Sequence, residues 1–345
     1  MNILILGGTL FVGRHFVNAA LERGHKVTIF NRGQLKSEPV IGARHVVGNR
    51  ETDLNRLGDE QWDVVIDTSC YIPRVMRSAL GHLKTSTKFY IFISSISVYN
   101  VKGDRWLDEA SEKLNPIPES DEDENRERQG YGENKYACEC ILQDAMPGNH
   151  LILRPGLITG PYDITCRLTY WIERFLHGGR ATAIRNSKTP VQWIDARDMC
   201  EWAISMAEKN KSGIYNVTGP QTSYSSGEFF NLCQNISGSD VDIEYLPMEF
   251  VRTLDKWHLP PVGLGLSWEG FDAFNQVSSV KAIAEGLTFR DPKSTFVDTY
   301  EWSKLWEHDY HHKVTGGHSF HGNMQEDIEL EKTILERYDQ WMKNA

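Results

Sequence analysis

The stretch that most constrains this chain is Asn2 to Gly33, reading NILILGGTLFVGRHFVNAALERGHKVTIFNRG. Asn2 to Leu6 is a short apolar run of the kind that forms a fully buried parallel strand. Gly7, Gly8 and Gly13 then make a tight turn opening an amphipathic helix. Its apolar positions Phe16, Val17, Ala20 and Leu21 recur at helical spacing, and Gly24 supplies the stop. Val27 to Phe30 reads as a second buried strand. Strand, glycine turn, helix and strand within about 30 residues is the context that marks a dinucleotide-binding unit.

Gly7 and Gly8 allow backbone angles closed to other residues, and Gly13 lets the helix pack close to the strand. Amides at the helix start then face a pyrophosphate, where the helix dipole favours negative charge. The turn departs from the usual three-glycine fingerprint, because Leu10 occupies the middle position. The bland alternative is a glycine-rich turn with no ligand. Past the second strand, Asn31 and Arg32 stand where an acidic residue would bind a ribose 2′-hydroxyl. An arginine there suits a 2′-phosphate, which favours NADP, with NAD the second choice. The plainer reading of Arg32 is a solvated side chain in an ordinary loop.

The rest of the first half alternates. Arg44 to Gly48 is a third strand with Asn49 and Arg50 at its carboxyl end, and Asp53 to Leu57 begins a brief helix. Asp63 to Asp67 is a fourth buried strand followed by Thr68, Ser69 and Cys70, small residues expected to border the cofactor. A helix from Pro73 to about Leu83, a fifth strand from Lys88 to Ser95, and a polar acidic loop from Ser97 to Gly130 follow. Tyr131 to Gln143 is then a helix and His150 to Ile158 a sixth strand. Beyond Gly160-Pro161 the order loosens into mixed elements, with helices expected over Leu168–Leu176, Asp198–Lys209, Ser226–Ser237, Ser294–Glu307 and Glu326–Met342. Short strands are expected over Gln192–Ile194, Gly213–Val217 and Val241–Leu246. The expectation is an α/β, Rossmann-type doubly wound parallel sheet over 1–160, with a smaller substrate lobe over 161–345. Segments around 190–220 return to the first domain.

Composition narrows the function. A net charge of −10 argues against a general nucleic-acid footprint. No apolar run reaches the length of a membrane span, and the first strand begins at residue 2, leaving no room for a signal peptide. Six scattered cysteines fit reduced thiols in a cytoplasm. Cys138 and Cys140 point apart on a helix, so packing accounts for them better than a metal or redox pair.

The chemistry-bearing pair is Tyr131 and Lys135, four apart and so on one helix face. An ammonium beside a phenol favours phenolate. Such a tyrosine can exchange a proton with a substrate oxygen while a nicotinamide exchanges hydride with the adjoining carbon. Ser95, at the end of the fifth strand, is the second candidate donor to that oxygen. A Tyr-x-x-x-Lys pair alone is common by chance. Behind a nucleotide-binding half, with a Ser-Ser strand end about 35 residues earlier, it is specific.

These residues resemble the extended short-chain dehydrogenase/reductase superfamily, in its NAD-dependent epimerase/dehydratase group. Gly-Gly-Thr-x-Phe-Val-Gly (7–13) with Asn31-Arg32-Gly33 is similar to the branch holding chloroplast stem-loop-binding proteins and bacterial reductase-like relatives. The resemblance spans nearly the whole chain and includes ISSISVY (93–99), YGENK (131–135), LRPGLITGP (153–161), QWIDARD (192–198), YNVTGP (215–220) and FRDPKSTFVDTYEW (289–302). It implies Ser95 as substrate-oxygen donor, Tyr131 as acid/base, and Lys135 as the residue that binds nicotinamide ribose and tunes the tyrosine. It implies Gly7, Thr9, Leu10, Phe11, Val12 and Gly13 as the pyrophosphate loop, with Arg32 and Asn49 at the adenosine end. Thr68 and Ser69 fall near the cofactor's middle, and Pro155 and Leu157 pass the nicotinamide. Family members often pair as homodimers through the helices Pro73–Leu83 and Tyr131–Gln143.

One departure bears on substrate. Sugar-nucleotide members carry an arginine seven residues before the aspartate matched by Asp198, where this chain has Val191. Arg180, Arg185 or Lys188 are the nearby candidates to substitute. Asp163 and Arg167 match a pocket-shaping segment or form a surface ion pair. His308, His311, His312, His318 and His321 crowd one stretch, readable as a metal site or a polar corner. Trp171, Trp193, Trp257 and Trp268 are either pocket walls or core.

The sequence therefore reads as an NAD(P)-dependent oxidoreductase acting on a sugar-like small molecule by epimerisation, dehydration or reduction. The alternatives are a reductase of a non-nucleotide carbonyl, or an RNA-binding regulator that keeps the fold.

Overall fold

The computed structural model describes residues 1–34, 40–101, 106–118, 130–254, 272–305 and 324–344. In chain order the first half comprises β1 (Asn2–Leu6), α1 (Phe11–Glu22), β2 (Lys26–Asn31), β3 (Arg44–Val47), β4 (Trp62–Asp67), α2 (Pro73–Leu83) and β5 (Thr87–Ile93). Then come α3 (Tyr131–Ala145), β6 (His150–Pro155), β7 (Ile158–Thr159), α4 (Arg167–Leu176), β8 (Gly179–Ile184) and β9 (Pro190–Asp195). The remainder is α5 (Ala196–Glu208), β10 (Gly213–Val217), β11 (Gly219–Ser225), α6 (Ser226–Ser237), β12 (Val241–Leu246), α7 (Met248–Val251), α8 (Val280–Ala284), α9 (Pro292–Ser303) and α10 (Met324–Asn344). Leu54–Leu57 and Ile96–Val98 are single 3₁₀ turns.

The contacts divide the chain into two units, the first built from Met1–Ile158, Ile194–Thr218 and Val277–Thr288. Its centre is a seven-stranded sheet in the order β10-β6-β5-β4-β1-β2-β3, parallel throughout. The apolar runs read as buried strands are buried: Ile3, Leu4, Ile5 and Leu6 are at most 1% exposed, and Val64, Val65 and Ile66 match them. Each such side chain contributes about 1.5–3 kcal/mol on leaving water. Right-handed crossovers from a twisted parallel sheet place helices on both faces. On one face Trp62, Val75, Met76, Ala79, Leu80, Tyr90, Phe92, Cys138 and Leu142 form a common core under α2 and α3.

Strand order reverses between β1 and β4. The chain builds outward through β2 and β3 on one side and β5 and β6 on the other. At such a switch point the loops beyond the strand ends part, leaving a crevice at the carboxyl edge. Leu6 pairs with both Phe30 and Asp67, and Asp67 with Phe92, so these ends are level. The glycine turn, Thr68 and the serines after β5 all leave from this edge.

The second unit comprises Thr159–Trp193, Gly219–Gln276 and Phe289–Ala345. It contains the parallel pair β12–β8 and the antiparallel pair β11–β9. Trp171 and Trp193 are both 3% exposed and pack edge-on and tilted against Phe229, Phe230, Tyr224 and Phe296. They are core. Trp257, Trp268 and the histidines 308–321 lie outside the described residues. The strands β8 and β11 are additions to the sequence expectation. In β8 the buried run Ala181–Ile184 holds two alanines and a threonine with Ile184 as its one large apolar side chain, which leaves little hydropathic signal.

Candidate active site

The glycine turn is a close-packed cradle. A methyl group at Gly7 would collide with the Thr68 hydroxyl, and one at Gly13 would stand 2.5 Å from the Gly8 amide nitrogen. Gly7 (φ 113°) and Gly8 (φ 96°) use the left-handed freedom that glycine alone supplies cheaply. Phe11 opens α1 at φ 29°, a strained angle for a side chain of that size. Leu10 is the N-cap and offers no side-chain bond to the first-turn amides, and no acidic residue lies in that turn. Those amides therefore face the switch-point crevice with the positive end of the helix dipole. This is the donor set an anionic pyrophosphate fits.

Asn31 braces this turn. Its amide donates to the Thr9 hydroxyl (3.0 Å) and the Gly7 carbonyl (3.3 Å). Its oxygen accepts from the Gly33 amide (2.9 Å) and lies 2.8 Å from His45 Nε2. Arg32 is exposed at the same strand end. Asn49 is exposed, and its side-chain oxygen accepts from the Glu51 amide (3.1 Å) in a local turn. Thr68 and Ser69 both donate their hydroxyls to the Leu6 carbonyl, at 3.0 and 3.3 Å, which ties the end of β4 to that of β1. Pro155 pairs with Val217, and the Leu157 carbonyl accepts from Ile194 (2.8 Å). Both therefore sit in fixed backbone past β6.

Tyr131 is the first residue of α3 and Lys135 follows one turn later. The Lys135 ammonium, on a residue 2% exposed, donates to the Cys70 carbonyl at 2.7 Å and the Ile93 carbonyl at 2.8 Å. Around it stand the rings of Tyr71 (4.5 Å to the centroid), Phe92 (4.9 Å) and Tyr131 (5.9 Å). Burial alone would lower the Lys135 pKa. The phenols of Tyr131 and Tyr71 and the thiols of Cys138 and Cys70 together outweigh it and hold the lysine above its ordinary value. Carbonyl dipoles and aromatic faces surround the charge, and among the described residues no carboxylate pairs with it.

Ser95 caps the 3₁₀ turn after β5. Its oxygen accepts from the Ser97 amide (3.1 Å), and its hydroxyl lies 3.1 Å from that of Ser97. Gly132 brings the start of α3 onto this turn, since a methyl group there would collide with the Ser97 carbonyl. So the residue after Tyr131 packs directly on the serine turn. Beneath it, Ser94 donates to Glu139 (2.5 Å), itself bonded to Arg154 at 2.6 and 3.0 Å. Arg154 reaches the Tyr99 hydroxyl (3.0 Å), which donates to Asn216 (2.6 Å). Glu139 lies four residues beyond Lys135, on the same helix face.

Arg50, Asp67, Tyr71, Gly132 and Glu139 were not among the site residues expected from the sequence. Glu139 had a legible signal, since it continues the 131–135 spacing. Arg50 and Tyr71 act through contacts that only the strand order creates. Of the candidates to replace the arginine missing at Val191, Arg180 is already held by Asp339 and Glu244. Val191 is buried within β9.

A glycine cradle at the switch point of a 3-2-1-4-5-6 sheet defines a Rossmann-type fold, here with a Tyr/Lys pair on the helix after β5. The profile of the NAD dependent epimerase/dehydratase family matches residues 3–218, and the chain belongs to that family of enzymes. The chloroplast stem-loop binding protein of 41 kDa b from Arabidopsis thaliana is 26% identical over 241 residues. That match covers 63% of this chain and 58% of the relative's length. Among solved structures, UDP-glucose 4-epimerase of Thermotoga maritima, with UDP-glucose, superimposes at a TM-score of 0.65 and 17% identity, covering 88% of this chain and 99% of that one. UDP-glucuronic acid 4-epimerase of Bacillus cereus, in complex with NAD, gives 0.66 and 17%, covering 89% and 97%. Among the described residues no helix is long and apolar enough to cross a membrane.

Proposed function

We propose that this enzyme oxidises, or transiently oxidises, a secondary alcohol of a sugar-like small molecule, with Tyr131 as acid/base and Lys135 as its electrostatic partner. The observation that carries the reading is the buried Lys135 ammonium, pinned by two carbonyls and set beside the Tyr131 ring. An ammonium has three donors. Two are spent on Cys70 and Ile93, which leaves one for a ribose hydroxyl. The cradle of Gly7 to Gly13 holds the pyrophosphate, and Arg32 favours the 2′-phosphate of NADP over NAD. Bound there, a nicotinamide supplies reversible hydride exchange with carbon. The Tyr131 hydroxyl gives or takes the proton on the substrate oxygen, and the lysine charge favours the phenolate formed in one direction. The Ser95 hydroxyl turns from Ser97 to hold that oxygen.

For substrate, the neighbours named for nucleotide-sugar epimerisation speak for a sugar. Buried Val191 and the engaged Arg180 speak for one without the nucleotide anchor. Six free thiols support a cytoplasmic setting. The test is turnover on a panel of sugars and nucleotide sugars with NAD(P)+ or NAD(P)H. Tyr131→Phe should cost about 10²–10⁴ in kcat. Full turnover by that variant would refute both the acid/base role of Tyr131 and the tuning role of Lys135. RNA binding is the second reading, favoured by the stem-loop-binding relative. The charge of −10 opposes it, and a gel shift losing complex steeply with salt would support it.

A further inference from the structure

Asp67, at the end of β4, is fully buried, and both its oxygens are saturated. Oδ1 accepts from Arg50 Nη1 (2.7 Å) and the Ser69 amide (3.2 Å). Oδ2 accepts from Arg50 Nη2 (2.7 Å) and the Tyr90 hydroxyl (2.8 Å). Arg50 Nη1 also donates to the Ser69 hydroxyl at 3.1 Å. The guanidinium comes from the end of β3, which lies at the far edge of the sheet with β1 and β2 between it and β4. A buried ion pair of this kind adds little net stability, because desolvating both charges offsets their attraction. What it does is fix geometry, since a planar fork accepts one orientation of a carboxylate.

The geometry it fixes is that of Thr68 to Tyr71. This turn contributes two of the groups surrounding Lys135: the Cys70 carbonyl at 2.7 Å and the Tyr71 ring at 4.5 Å. We propose that Arg50 and Asp67 are positioning residues, a clamp that locks the turn after β4 so that it holds the Lys135 ammonium in place for cofactor and Tyr131. The proposal rests on the functional reading above for the purpose of that placement. The clamp ties the adenosine side of the crevice, where β3 ends, to its reacting side. A displacement of about 1 Å at a reacting group can cost about a hundredfold in rate. That is the scale on which such a lock matters.

The test uses the full chain with lysine side chains labelled with ¹³C at Cε. The Lys135 signal is identified by its loss in Lys135→Arg. Ring currents from Tyr71 and Phe92 displace it from the other lysines in the parent protein. In the double variant Arg50→Met/Asp67→Leu the thermal midpoint should hold while the Lys135 signal moves toward the solvent-exposed group. NADPH affinity, read by its fluorescence, should fall about tenfold or more. Arg50→Lys keeps the charge but not the fork and should fall between, and it decides the matter if the double variant does not fold. A folded variant with an unmoved Lys135 signal, or with unchanged affinity, overturns the clamp. If the parent protein takes up neither NADPH nor NADH, the functional reading fails, and the Lys135 signal alone decides the clamp.

Discussion

The Lys135 ammonium donates to the Cys70 carbonyl at 2.7 Å, joining α3 to the turn after β4 through a buried charge. Together with the bond to Ile93 it leaves two backbone acceptors dependent on one side chain. Lys135→Met should therefore lower stability by about 1–3 kcal/mol, since buried carbonyls would lose their donor. Urea unfolding monitored by tryptophan fluorescence measures this. A variant as stable as the parent would mean that water or a local shift replaces the ammonium.

Two helical glycines should respond with opposite sign. Gly132→Ala places a methyl group against the Ser97 carbonyl and should cost about 1–3 kcal/mol, with loss of turnover as the start of α3 is pushed off the serine turn. Gly81→Ala, in α2, meets nothing within 4 Å and should gain about 0.5–1 kcal/mol through helix propensity. Thermal unfolding of the two variants side by side checks the pair.

Two buried aspartates should show opposite dependence on pH. Burial alone would raise the Asp67 carboxyl, but Arg50, Tyr90 and the Ser69 amide outweigh it and hold it below the usual carboxylate range. Its folded state binds the proton less readily than the unfolded chain. Asp67 therefore adds stability above pH about 4, lost as acid titrates it, and Asp67→Asn should flatten the acid limb of a stability-pH curve. Asp163 is raised, chiefly by burial, with Arg167 and Thr165 opposing. Its folded state holds the proton more tightly, so its contribution declines as pH rises above about 4. Asp163→Asn should remove that decline while keeping the bonds from Thr165 to Oδ1. Urea midpoints from pH 3 to 8 would show both slopes, and a shared sign would contradict the account.

Exposed Arg32 should set cofactor choice. Arg32→Ala is expected to weaken NADPH by about 1.4 kcal/mol, roughly tenfold, and to leave NADH little changed, because a charge-assisted bond to a phosphate is lost. Parallel fluorescence titrations give the ratio. An unchanged ratio would assign Arg32 to solvent and remove the argument for NADP.

Much of this was legible in the sequence, for identifiable reasons. The strands β1 and β4 are continuous apolar runs, and the glycines between β1 and α1 follow backbone demands that no other residue meets. Tyr131 and Lys135 share a helix face by spacing alone. What the sequence hid depends on sheet order. Arg50 meets Asp67 across two intervening strands, and Tyr71 reaches Lys135 because α3 begins at the edge where β4 ends. Asn31 and Asn49 stand where cofactor ligands are expected, and each also makes side-chain hydrogen bonds to its own turn. No local pattern distinguishes an asparagine that braces a loop from one that awaits a ligand.

The central claim, that a nicotinamide dinucleotide lies on the Gly7–Gly13 cradle beside Lys135, is tested most directly on the purified protein. Denature it, identify the released small molecules by mass spectrometry, and repeat after soaking with NADPH and with NADH. The account predicts one nicotinamide dinucleotide per chain, retained or taken up, and its loss in Gly13→Val. Retained NAD would place the chain with cycling epimerases and dehydratases, and uptake of NADPH with dissociating reductases. Wild-type protein that neither holds nor takes up either cofactor would contradict the account.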